Sequence, residues 1–108
     1  MNELEIKIIN ELKGLHRGRG NAIHYKHLAL TLNVNERELR SIIADLITNR
    51  HLPVATSQEG YWWIDSEDEY RQASGELISR IKKLSARHKG LRLGYQEQNY
   101  KPKQLELV

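Results

Sequence analysis

The sequence predicts a mainly α-helical chain carrying one small β-hairpin, an α+β architecture. Three observations predict it. Apolar residues recur at helical spacing through the first fifty residues; Pro53 is followed by two short β-prone runs hinged at Gly60; and a capped run from Ser66 to Lys89 carries acids at its start and bases at its end. With 108 residues the chain has material for one modest core and appendages.

Leu4, Ile8, Leu12 and Leu15 mark an amphipathic first helix ending near Gly14. "HRGRG", 16–20, is a basic, glycine-rich loop. Ile23, Leu28, Ala29 and Leu32 belong to a short second helix that Asn33 and the turn around Val34 interrupt. Asn35 caps a third helix, with Glu38 completing a capping-box-like pattern. Its inward residues are Leu39, Ile42, Ile43, Leu46 and Ile47, and it runs to about Arg50.

Pro53 ends helical structure, and "PVAT", "SQEG" and "YWWID" read as strand, turn and return strand. Neighbours in a strand alternate faces, so Tyr61 and Trp63 share one side while Trp62 and Ile64 share the other. Because a two-stranded ribbon is marginal alone, these aromatics are expected to pin it to the helices. Ser66 with Glu69 forms a second capping box, opening a long helix to Lys89 with Gly90 as its stop. Residues 91–108 lack periodicity and read as a flexible tail. The expected organisation is therefore a helical domain with hairpin over 1–65, a long amphipathic basic helix over 66–90, and the tail.

Composition narrows the function classes. No cysteine means no disulfide scaffold, thiol nucleophile or cysteine zinc site. No run approaches eighteen apolar residues, and the start "MNELEIKIINELKG" is unlike a secretory signal, so a cytoplasmic protein without membrane contact is expected. The net charge of +3 is unevenly spread: residues 70–108 carry nine Lys/Arg against three acids, residues 36–69 three against eight. No phosphate loop, nucleophile elbow or carboxylate pair occurs. Of the five histidines only His24 and His27 share helical spacing, without a carboxylate on that face. The expectation is a binding protein, not an enzyme, with no metal and no cofactor.

The stretch "NAIHYKHLALTLNVNERELRSIIADLITNRHLPVATSQEGYWWID" resembles the winged helix-turn-helix family: a small apolar pair, a short helix, a turn with a buried Val, a capped recognition helix, and a wing closing in Gly-Tyr. It is similar to the N-terminal domains of biotin repressors and to small phage-encoded replication and regulatory proteins. The resemblance covers residues 1 to about 66. His24 stands where such domains place a Ser or Thr cap, and the wing tip holds Glu59. The resemblance implies duplex DNA binding, with the third helix in the major groove and the wing near a phosphate backbone.

The residues suit that implication. At about 100° per residue, Arg37, Arg40, Ser41, Ala44 and Thr48 cluster opposite Leu39, Ile43 and Leu46, and no acid lies on that stripe. Arginine can reach phosphate or guanine, and small neighbours permit close approach. Lys26, Arg17, Arg19 and Arg50 are candidate phosphate contacts, and His27 lies beside them. Trp62 has two readings, a side chain that stacks on a base or sugar, or one covered by the long C-terminal helix.

Two further partners are expected from the second half of the chain. Tyr70, Leu77, Leu84 and Leu91 are spaced by seven, with Ser74, Ile81 and His88 at the alternate heptad positions, so Tyr70, Leu77, Ile81 and Leu84 mark the seam of a coiled-coil homodimer. The pentapeptide "QLELV" resembles the short peptide by which bacterial replication and repair proteins bind the sliding clamp. Gln104, Leu105 and Leu107 match its pattern, and Val108 replaces the large aromatic. Together these features imply a role in phage or bacterial DNA replication or transcription regulation. The alternative is a protein-docking winged helix, for which the acidic wing speaks, with the tail recruiting the clamp.

Overall fold

Helix order follows where the chain can satisfy its backbone ends. In the computed structural model, which describes residues 1–100, the elements are α1 (Glu3–Leu15), a single 3₁₀ turn (Arg19–Asn21), α2 (Tyr25–Leu32), α3 (Glu36–Arg50), β1 (Val54–Ser57), β2 (Gly60–Trp63) and α4 (Glu67–Tyr100). The chain is mainly α with one antiparallel hairpin, as its sequence predicts. Two compact units are distinguished, one over Met1–Ala73 and a second that begins at Ser74.

The caps are local and mostly polar. Asn2 and Glu5 form a reciprocal capping box at α1 that the sequence reading did not single out. His24 caps α2, its Nδ1 accepting from the Lys26 N–H at 3.3 Å. Asn35 Oδ1 accepts from the N–H groups of both Arg37, at 2.8 Å, and Glu38, at 3.2 Å. Asn33 and His51, at φ 53° and 59°, end α2 and α3 in the left-handed conformation.

The core of the first unit is drawn from every element in it. Ile8 and Leu12 of α1 meet Leu28 and Ala29 of α2, Leu39, Ile43 and Leu46 of α3, and Val54 and Tyr61 of the hairpin. Trp63 packs against the same cluster, so the alternation places Tyr61 and Trp63 on one face as expected. Leu15 departs from its expected inward position and is 66% exposed, because α1 ends there and the chain turns at His16. Ile23 likewise lies ahead of α2 rather than on it.

The hairpin pairs Val54 with Trp63, Ala55 with Trp62, Thr56 with Tyr61 and Ser57 with Gly60. Its second edge is closed by the loop read from sequence as a basic connector. Ile23 and Tyr61 exchange two backbone hydrogen bonds, at 2.9 and 2.8 Å. Further along, the Trp63 N–H donates to the His16 carbonyl at 2.7 Å, and the Gly18 N–H donates to the Trp63 carbonyl at 2.8 Å. Gly60 sits at φ +117°, where a Cβ would lie 2.2 Å from the Ile23 carbonyl oxygen, so both the turn and the close approach require glycine.

Two expectations for the long helix are corrected. It continues through Gly90 to Tyr100 and does not give way to a tail at residue 91. Glycine costs a helix only ~1 kcal/mol relative to Ala, and no proline intervenes before Pro102. At its start, the Ser66 hydroxyl accepts from the Glu69 N–H at 3.2 Å, but the Glu69 carboxylate reaches past Ser66 to accept from the N–H groups of Asp65, at 2.8 Å, and Arg19, at 3.0 Å. That carboxylate ties the first turn of α4 to the loop before α2, and the first unit extends to Ala73, past the expected boundary at residue 65. The clamp-like peptide Gln104, Leu105, Leu107 and Val108 lies outside the described residues. Among the described residues no helix is long and apolar enough to cross a membrane.

Candidate functional site

One face of the first unit gathers most of the residues singled out on α3. Leu39, Ile43 and Leu46 are buried, which rotates Arg37, Arg40, Ser41, Ala44 and Thr48 outward, and all five are exposed. Arg37, Arg40, Ser41 and Ala44 line an open hollow whose far wall is Thr56 and Tyr61 of the hairpin. A neighbouring hollow between α2 and α3 is lined by Lys26, Leu30, Arg37 and Arg40, with Asn35 and Glu36 at its edge. The two hollows share the two arginines. Leu30, 82% exposed, is the large apolar side chain on this face.

Arg40 is held in place. Its guanidinium lies over the Tyr25 ring, 4.9 Å from the centroid, a cation–π contact that also keeps the charge beside Tyr61. Burial pushes the Tyr61 phenol above the ordinary tyrosine range; the Arg40 charge pulls the other way and the neighbouring Tyr25 adds to the rise. Tyr25, Thr56 and Tyr61 were not foreseen as parts of this face. The signal for Tyr61 was present in the strand alternation, which turns it to the side where α3 packs.

The remaining basic candidates separate into two groups. Among the described residues, Lys26, Arg37 and Arg50 engage no carboxylate, and all three are exposed. Arg17 and Arg19 are instead part of the hairpin's fastening. Arg17 donates from Nε and Nη2 to Asp65 Oδ1 at 3.1 and 2.7 Å. Arg19 pairs with Glu59 at 3.3 Å, and its guanidinium stands 5.9 Å from the Trp62 ring centroid.

Trp62 is 1% exposed, and its Nε1–H donates to Ser57 Oγ at 3.3 Å. Of the two readings of Trp62 the covered one holds: the ring is buried within the protein. The turn residue Glu59 is exposed. Its carboxyl is held below the usual carboxylate range by the Ser57 side chain first, then by backbone hydrogen bonding and by Arg19.

Chemically, the α3 face offers the cations Arg37 and Arg40 and the small side chains Ser41, Ala44 and Thr48, two of them hydroxyls, in a shallow setting without an acid–base pair. It can meet an anionic, grooved surface closely. On α4, Tyr70, Leu77, Ile81 and Leu84 are 57%, 51%, 60% and 57% exposed. No protein family, curated protein or solved structure matches the chain.

Proposed function

We propose that the first unit is a winged helix-turn-helix domain that binds duplex DNA, with α2 and α3 as the helix-turn-helix, α3 in the major groove and the hairpin as the wing. The observation that carries this reading is the acid-free outer stripe of α3, on which Arg37 and Arg40 stand exposed among Ser41, Ala44 and Thr48. Arg37 and Arg40 supply groove or phosphate contacts, and the small residues let the helix approach base edges. Lys26, beside Arg37 and Arg40, and Arg50, at the end of α3, are further phosphate contacts. Arg17 and Arg19 shape the wing through their carboxylate partners and contribute to the field around it. The protein acts by binding, in phage or bacterial DNA replication or transcription regulation.

The test is fluorescence anisotropy of a labelled random-sequence duplex across a salt series, alongside selection from random duplexes at stated salt. Affinity should fall linearly on a log–log plot as salt rises. The Arg37→Ala/Arg40→Ala protein should stay folded and lose on the order of 2 to 6 kcal/mol of binding free energy. Unchanged binding by the folded double variant overturns the assignment of α3. Absence of duplex binding at low salt overturns the DNA reading and leaves protein docking, which the carboxylate at the hairpin turn favours.

A further inference from the structure

Between Glu76 and Glu97, α4 carries Arg80, Lys82, Lys83, Arg87, Lys89 and Arg92 and no acid. Over the same span most of its large apolar residues form a line, with Ile78 at its edge and Leu93 on nearly the opposite face. At about 100° per residue, Leu77, Ile81, Leu84, His88, Leu91 and Tyr95 all fall within roughly 40° of one direction. Leu77, Ile81 and Leu84 are more than half exposed, as described above; Leu91 is 71% and Tyr95 67% exposed. In heptad terms Leu77, Leu84 and Leu91 occupy one core position and Ile81, His88 and Tyr95 the other. Arg80 and Arg87 border the line on one side, and Ile78, Ser85 and Arg92 on the other.

The spacing and the borders select an occupant. The line from Leu77 to Tyr95 keeps to two heptad positions, the seam of a coiled coil, with Ile78 widening one edge. Nucleic acid would leave the leucines in water. A second copy of this chain answers the apolar line but not the charges: in a parallel pair Arg87 of each copy faces Arg92 of the other, and in an antiparallel pair the Arg80–Arg87 edges face one another. No acid stands at any bordering position from Ile78 to Arg92 to relieve this.

We propose that α4 from Leu77 to Tyr95 is a docking face for an acidic amphipathic helix of another protein. The partner's apolar seam covers Leu77, Ile81, Leu84 and Leu91, and its Glu or Asp side chains meet Arg80, Arg87 and Arg92. This proposal rests on α4 alone and is independent of whether α3 binds DNA. The homodimer expected from the heptad spacing becomes the competing outcome.

The test uses the full chain and two designed four-heptad peptides with leucine at both core positions, one with Glu and one with Lys at every bordering position. Calorimetry should record binding of the Glu peptide, weaker binding as salt rises, and at least about tenfold weaker binding of the Lys peptide, since several ion pairs of under 1 kcal/mol each add to that ratio. Ile81→Asp/Leu84→Asp should abolish binding. Arg80→Glu/Arg87→Glu/Arg92→Glu should transfer preference to the Lys peptide, a gain that misfolding cannot imitate. Equal binding of both peptides, or of neither, overturns the proposal. So does sedimentation of the chain alone as a dimer that admits no peptide, or binding to phosphatidylserine vesicles with no binding to the Glu peptide.

Discussion

The guanidinium of Arg40 lies over the ring of Tyr25, 4.9 Å from its centroid, so a side chain of the α3 outer stripe is braced by the first residue of α2. The brace reduces the freedom that Arg40 would otherwise lose on meeting a ligand. Tyr25→Leu keeps an apolar side chain there but removes the aromatic face. Duplex binding should weaken about two- to fivefold, corresponding to the ~0.5–1 kcal/mol of an exposed cation–π contact. Anisotropy titration checks it; an unchanged dissociation constant would show that the brace does not assist binding.

The two faces of α3 make opposite predictions. Ile43 is 2% exposed, and Ile43→Asp would bury an unpaired carboxylate at a cost of more than about 4 kcal/mol, unfolding the first unit. Ser41 is exposed two residues earlier, so Ser41→Asp should change stability by no more than about 0.5 kcal/mol. It should nonetheless weaken duplex binding by at least about tenfold through repulsion from phosphate. Thermal circular dichroism and anisotropy on the pair separate folding from binding; a Ser41→Asp protein with native affinity would contradict the groove assignment.

At Gly60 the backbone conformation and the nearby Ile23 carbonyl act together. Gly60→Ala should cost about 3 kcal/mol or more and lower the melting temperature by more than about 10 °C. Gly90→Ala is the control: nothing lies within 4 Å of its added Cβ, so it should be neutral or stabilising. Similar melting curves for the two variants would contradict the close packing of hairpin and loop.

The hairpin turn has a pH signature. Hydrogen bonds and Arg19 hold the Glu59 carboxyl below its ordinary range, so the folded state favours the ionised form more than the unfolded state does. The contribution is present above the ordinary glutamate value of about 4.3 and fades as pH falls through the lower, folded-state value. Glu59→Gln should therefore flatten the acid limb of a plot of urea midpoint against pH. Parallel acid limbs for the two proteins would show that Glu59 does not contribute.

How much of this was legible in the sequence depends on the range of the interactions involved. Local patterns carried the helices: Leu39, Ile43 and Leu46 declare the inward face of α3 by spacing alone, and Asn35 declares its start. The hairpin followed from Pro53, Gly60 and β-prone neighbours. The ends of α4 were less legible, because a glycine such as Gly90 stops a helix only when the next residues offer an alternative, and those after it do not. Pairings across forty or more residues left no local trace. Arg17 and Arg19 look from sequence like available cations, and only the fold brings Asp65 and Glu59 to them. The contact of Arg40 with Tyr25 is hidden as well, because it joins two different helices.

The loop that borders β2 also sets an order of events in folding. Ile23 and Tyr61 are separated by roughly forty residues, and His16 and Trp63 by more, so their pairing needs closure of a long loop, whereas α1, α2 and α3 form from local contacts. The helices are therefore expected to assemble first and the three-part ribbon to close last, with Trp62 and Trp63 shielded only then. Pulse-labelled amide exchange should accordingly find the N–H groups of Gly18, Ile23, Tyr61 and Trp63 gaining protection together and after those of α3. On a ribosome, the aromatic pair would leave the exit tunnel after the segment that awaits it, so the emerging chain always has a docking edge ready for its most aggregation-prone residues.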